Sequence, residues 1–172
     1  MLEERLRTVL RNAISRYDYP AVVFDFQRDR EVKMESMRDV ECYIRLQLIS
    51  KNLDEVHEGL CNVLYWGFYT FPPRFRDRRV KDYCQRVTSE HLQKAGDLFV
   101  GLRGTGLRAI KSLGVPQFGM MPFVSKIRMF LDPCQFVILD NKLLKIRNAY
   151  RHTLFHDIKK GAKEDDHSHK SA

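Results

Sequence analysis

The stretch from Met120 to Ile146, MMPFVSKIRMFLDPCQFVILDNKLLKI, leaves little choice of local structure: a helix, a stop, an apolar run and a second helix must follow in quick order. Pro122 suits the first helical position, where its missing N–H needs no partner, and Phe123, Ile127, Phe130 and Leu131 then recur at helical spacing. Lys126 rides next to that apolar face. The helix is expected to stop near Asp132-Pro133, because the residue before a proline is pushed out of the α region. Phe136 to Leu139 form an apolar run too short for a helix. Asp140, ahead of Leu143, Leu144 and Ile146, reads as the N-cap of the next one.

Helical stripes recur along most of the chain. Leu2, Leu6, Val9, Leu10, Ala13 and Ile14 keep one face apolar, and Ser36 with Asp39 opens a helix whose buried face is Met37, Val40, Ile44 and Leu48. A helix starting near Asp54 carries Val56, Leu60, Val63 and Leu64 into Tyr65-Trp66-Gly67-Phe68-Tyr69, a dense aromatic cluster closed by Phe71-Pro72-Pro73. Val80, Tyr83, Cys84 and Val87 form the stripe of a strongly basic segment, Arg74 to Arg86, and Leu92, Ala95 and Phe99 continue the pattern. Gly101, Gly104 and Gly106 interrupt it before Leu107, Ile110 and Leu113 resume. Against these stands one hairpin, about 21–34, with AVVFDF after Pro20, a turn at Gln27 to Arg30 and a second strand at Glu31 to Met34. The expected architecture is mainly α: a single helical domain over 1–155 with that small N-terminal β-hairpin, then a disordered polar tail over 156–172.

The chain has 172 residues, 44% of them hydrophobic, enough to bury one core. Its net charge of +8 points toward phosphate-rich partners. Without an 18-residue apolar run, and with an N-terminus, MLEERLRTVLRN, that mixes acidic and basic residues, neither a membrane span nor an export signal is expected. A cytoplasmic location is therefore expected, and a monomer is the expected state. Cys42, Cys61, Cys84 and Cys134 are widely spaced and are expected as reduced core residues rather than disulfides or zinc ligands. The histidines, His167 and His169 of the tail included, show no ligand pair on one helix face, so no metal and no other cofactor is expected. Gly101 to Gly106 lacks the preceding strand and the spacing of a dinucleotide fingerprint.

Ser125-Lys126 opening one helix and Leu139-Asp140 preceding the next resembles a glycosylase site. In the helix-hairpin-helix superfamily of DNA base-excision glycosylases, most nearly the 8-oxoguanine DNA glycosylase branch, a Gly-Thr-Lys segment opens a helix and a Val-Asp pair follows. The likeness covers a minority of the chain. Leu113-Gly114-Val115-Pro116-Gln117-Phe118-Gly119 stands where the family has a compact Leu-Pro-Gly-Val-Gly turn, and Lys126 and Asp140 lie closer in sequence than the family's pair. The resemblance implies a helix-hairpin-helix glycosylase-like domain that excises a damaged base, an oxidised purine by preference, with DNA as partner. Lys126 would attack the sugar's anomeric carbon, displace the base and form a Schiff base that permits strand cleavage. Asp140 would cap its helix and stabilise the charge developing on the sugar. Attack needs a neutral amine, about 3 units or roughly 4 kcal/mol below an ordinary lysine, and Phe123, Phe130 and Arg128 are candidates for lowering it.

Arg74, Arg76, Arg78 and Arg79 are candidates for holding phosphates, together with Lys111, Gly119 and Ser125 around the 114–119 turn and the helix start after it. Trp66, Phe68 and Tyr69 are candidates for entering the base stack or walling a base pocket. Plainer readings stand beside these. Lys126 can be a snorkelling lysine with its head in water, Asp140 a pure N-cap, Trp66 a core aromatic, and 114–119 an ordinary linker. Two other functions compete with the glycosylase: a non-catalytic DNA-binding module with the same surface, and a protein-interaction adaptor anchored on the aromatic loop.

Overall fold

The computed structural model describes Glu4, Thr8 and residues 19–101, 106–136 and 138. Strands β1 (Val22–Asp25) and β2 (Arg30–Lys33) pair antiparallel, Val22 opposite Lys33 and Asp25 opposite Arg30. Their turn falls at 26–29, one residue earlier than expected. The cause is Asp25, whose carboxylate accepts the Arg28 N–H at 3.0 Å and fixes the turn's start. Asp29 completes it at φ 50°, a left-handed conformation that aspartate tolerates better than most residues.

Six helices follow among the described residues, so the chain is mainly α with a small N-terminal hairpin, as its periodicity predicts. They are α1 (Met37–Leu48), α2 (Leu53–Gly67), α3 (Pro73–Arg86), α4 (Ser89–Val100), α5 (Leu107–Ser112) and α6 (Met121–Leu131). Their ends follow capping chemistry. The Ser36 hydroxyl accepts the Asp39 N–H at 3.3 Å, the Asn52 side chain accepts that of Asp54 at 2.9 Å, and α3 begins on Pro73, where a donor would go unused. Asp132, ahead of Pro133, caps the end of α6.

Helix α2 lies at the centre and packs on α1, α3, α4, α6 and β1. Its sequence explains the position: Val56, Leu60, Cys61, Val63, Leu64, Tyr65 and Trp66 are all buried, and a helix apolar on so many sides must be enclosed. The neighbours present the expected stripes, Val40, Ile44 and Leu48 from α1, Val80 and Tyr83 from α3, Ala95 and Phe99 from α4, Leu107 and Ile110 from α5. Asn62 is the polar residue that α2 buries among these apolar ones. It accepts the Phe24 N–H of β1 at 2.8 Å and donates to Gln47 Oε1 of α1 at 3.4 Å, tying the hairpin to the core.

One expectation is corrected. All four cysteines are free, but only Cys61 is buried, while Cys42, Cys84 and Cys134 are exposed. Cys42 falls between Val40 and Ile44 and so points to the far side of α1, Cys84 stands at the rim of the α3 stripe, and Cys134 follows the stop at Pro133. The N-terminal stripe Leu2 to Ile14, the Leu139-Asp140 pair with the helix expected after it, and the tail 156–172 lie outside the described residues, apart from Glu4 and Thr8, which are helical. No helix among the described residues is long and apolar enough to cross a membrane.

Candidate functional site

Helix α2 ends on Gly67, and α6 passes across that end. A Cβ at Gly67 would stand 2.7 Å from Phe123 Cε1 and 3.0 Å from Lys126 Cδ, so the close approach of the two helices requires glycine there. The Lys126 stem lies over this bare backbone. The residue is only 8% exposed, with its amine 3.4 Å from the Pro122 carbonyl and 4.7 Å from the centre of the Phe123 ring. Its head therefore turns back on its own helix instead of extending into water.

Beside it lies the aromatic turn. Phe68 packs on Phe123 at 4.5 Å between ring centres, on Phe71 at 5.6 Å and on Phe75 at 5.5 Å, and Phe71, exposed, stacks on Phe75 at 5.3 Å. Two features far apart in sequence, Gly67-Phe68 and Phe123-Lys126, thus form one patch. The other two rings expected to meet a base go elsewhere. Trp66 is 3% exposed and sits in the core between Tyr19 (4.5 Å) and Phe130 (5.2 Å); a ring so enclosed does not reach a base stack without repacking. Tyr69, half-buried, lies 6.0 Å from Tyr65 on the hairpin side. Of the groups expected to influence Lys126, Phe123 is at the amine, Phe130 packs on Trp66, and Arg128 lies 3.5 Å over Phe136.

The arginines of α3 divide in two. Arg74 and Arg78 are exposed. Arg76 covers the Tyr65 ring at 4.1 Å and pairs with Glu31 at 3.4 Å and Asp77 at 3.0 Å, whereas Arg79 lies 4.9 Å over Phe75 and donates to Gln117 Oε1 at 3.2 Å. Gln117 in turn donates to Asp82, so the loop between α5 and α6 is fastened to α3. That loop is more than a linker. Val115 and Phe118 are buried in it, Phe118 5.9 Å from Tyr83, with Gly114 at φ 66° and Gln117 at φ 70° making the reversals. Lys111 and Gly119 are exposed; Ser125 is buried and donates to the Pro122 carbonyl at 3.1 Å. No side chain caps the start of α6.

A second constellation escaped the sequence reading. His57 and Cys61 share one face of α2, four residues apart, and Cys84 of α3 meets them. The His57-x3-Cys61 spacing was the available signal. The Cys84 thiol is drawn down to about 5 by its hydrogen bond with Cys61 and by His57, while the same bond and burial push Cys61 up. No family model, curated protein or solved structure matches the chain.

Proposed function

We propose that the chain is a DNA glycosylase with AP lyase activity in which Lys126 is the nucleophile. The observation that carries this reading is the buried setting of the Lys126 amine on Phe123, one turn into an uncapped helix and beside the Phe68 turn. A lysine that performs a covalent step needs a largely dry pocket, and a flipped base needs an aromatic wall close to the attacked sugar. The amine attacks the anomeric carbon and the base departs with the bonding electrons. The base takes the proton that the bound amine gives up. The nitrogen lone pair then opens the sugar ring by breaking the bond from the anomeric carbon to the ring oxygen, which takes a proton from solvent. The Schiff base so formed makes the adjacent sugar proton acidic enough for elimination of the 3′ phosphate. Asp140, which the sequence pattern marks as the expected N-cap of a following helix, is the proposed partner for the charge on the sugar.

Trapping with borohydride tests this. Duplexes bearing oxidised purines or abasic sites are expected to give a covalent adduct with the wild-type chain, and Lys126→Ala is expected to give none. Asp140→Asn should slow base removal and leave DNA affinity nearly unchanged, since asparagine caps a helix as well as aspartate does. Absence of an adduct on every lesion, or an undiminished adduct with Lys126→Ala, would sink the lyase reading in favour of a non-catalytic DNA-binding module.

The charge distribution supports DNA as the partner under either reading. Arg74 and Arg78 are exposed in the first half of the basic helix, and Lys111, in the last turn of α5, and Gly119, in the loop before α6, are exposed as well. Affinity for a duplex should fall as salt rises. The double variant Arg74→Ala/Arg78→Ala should bind more weakly whatever the sequence, and the slope of log K against log salt should drop by about 1 for each phosphate no longer neutralised. A slope equal to that of the wild type, measured by fluorescence anisotropy, would remove these two arginines from the interface.

A further inference from the structure

We infer that His57, Cys61 and Cys84 form a zinc site that joins α2 to α3. Their ligand atoms all lie within 4.8 Å of one another, with Cys61 Sγ 3.6 Å from Cys84 Sγ and 3.9 Å from His57 Nε2. Tetrahedral zinc, with bonds of about 2.3 Å to sulfur and about 2.0 Å to nitrogen, places two sulfurs roughly 3.8 Å apart and a sulfur and a nitrogen roughly 3.6 Å apart. Both edges that meet at Cys61 therefore already match such a site, and the third, between Cys84 and His57, is no longer than 4.8 Å, within reach of a small rotation of either side chain. Two sulfurs and an imidazole suit zinc and exclude magnesium or calcium, which take oxygen ligands.

The position in the fold fits the chemistry. Cys61 is buried in α2 and His57 is half-buried with its ring stacked on Tyr83 at 5.4 Å, which holds its orientation, while Cys84 is exposed at the rim. A metal held by these three would keep a fourth position toward solvent, for water or an external ligand. Zinc takes sulfur as thiolate and histidine as neutral imidazole, so binding would release to solvent whatever protons these ligands carry. The site stands apart from Lys126 and does not rest on the glycosylase reading.

The reduced full-length chain is titrated with Zn2+ by calorimetry and with Co2+ by absorbance. One ion per chain is expected, with thiolate-to-cobalt charge-transfer bands and the visible bands of tetrahedral cobalt. Cys84→Ser, at an exposed position that leaves the core intact, should weaken zinc binding by at least about 100-fold and reduce the charge-transfer intensity, since even the loss of an outer-shell partner costs about 10 to 100-fold. His57→Gln should weaken binding comparably while both sulfur ligands remain. Cys42→Ser, Cys134→Ser and the tail double variant His167→Ala/His169→Ala should change nothing. Cobalt bound without charge-transfer bands, equal zinc affinity in Cys84→Ser, or a purified chain with a Cys61 to Cys84 disulfide that takes up no zinc after reduction would overturn the proposal.

Discussion

Phe130→Ala is expected to be the most destabilising single substitution in α6, lowering stability by about 3 to 5 kcal/mol. Phe130 is fully buried and meets the edge of Trp66 at 5.2 Å, so its truncation leaves a cavity between α2 and α6 that the packed rings cannot close. For a chain of this size that loss corresponds to a melting temperature lower by roughly 6 to 20 °C. Chemical denaturation read by tryptophan fluorescence is the direct check, because Trp66 is the chain's one tryptophan and borders the cavity. A midpoint within experimental error of wild type would mean that α6 does not pack on Trp66 as described.

Gly67→Ala should separate stability from chemistry. The new methyl would stand 2.7 Å from Phe123 Cε1 and 3.0 Å from Lys126 Cδ, so the ring and the lysine stem must move by roughly 1 Å to restore ordinary packing distances. The displacement costs about 1 to 3 kcal/mol, and the helical gain of alanine over glycine, about 1 kcal/mol, offsets part of it. Folding is retained. The Lys126 amine, the proposed nucleophile, is nevertheless shifted, and a misplacement of about 1 Å at a reacting group costs on the order of 100-fold in rate. The rate of borohydride-trapped adduct formation should fall by that factor while thermal melting changes by a few degrees. Unchanged trapping with Gly67→Ala would show that the amine's position over Gly67 is irrelevant to the reaction.

The elements were legible because each leaves a local trace. Ser36 before Asp39, the Val56 to Leu64 stripe and the stop at Asp132-Pro133 are patterns of a few residues, and the structure follows them. Exposure at the rim of a stripe is harder to read. Cys84 keeps helical register with Val80 and touches Cys61, yet stays exposed at the rim of the interface, because α3 buries only Val80 and Tyr83. Proximity between distant elements left no trace at all. Nothing in the sequence near Lys126 specifies that Gly67 and Phe68 will meet it, since that meeting depends on the angle at which α6 crosses α2. The His57 and Cys61 half of the second constellation was written in one helix, and its completion by Cys84 depended on how α3 docks.

The tether between Asn62 and the hairpin also governs how the sheet ends. Along the outer margin of β1 the Phe24 N–H is occupied by Asn62 and the Val22 N–H by the Pro20 carbonyl, so neither donor is offered to an incoming strand. The opposite margin belongs to β2, where Arg30, Glu31 and Lys33 are exposed and would have to be desolvated against any newcomer. A two-stranded ribbon, ordinarily a nucleus for strand addition between molecules, is here blocked on one side by a buried amide and guarded on the other by charge. Asn62→Leu would leave the Phe24 donor without its acceptor and turn that sealed margin into a template for aggregation.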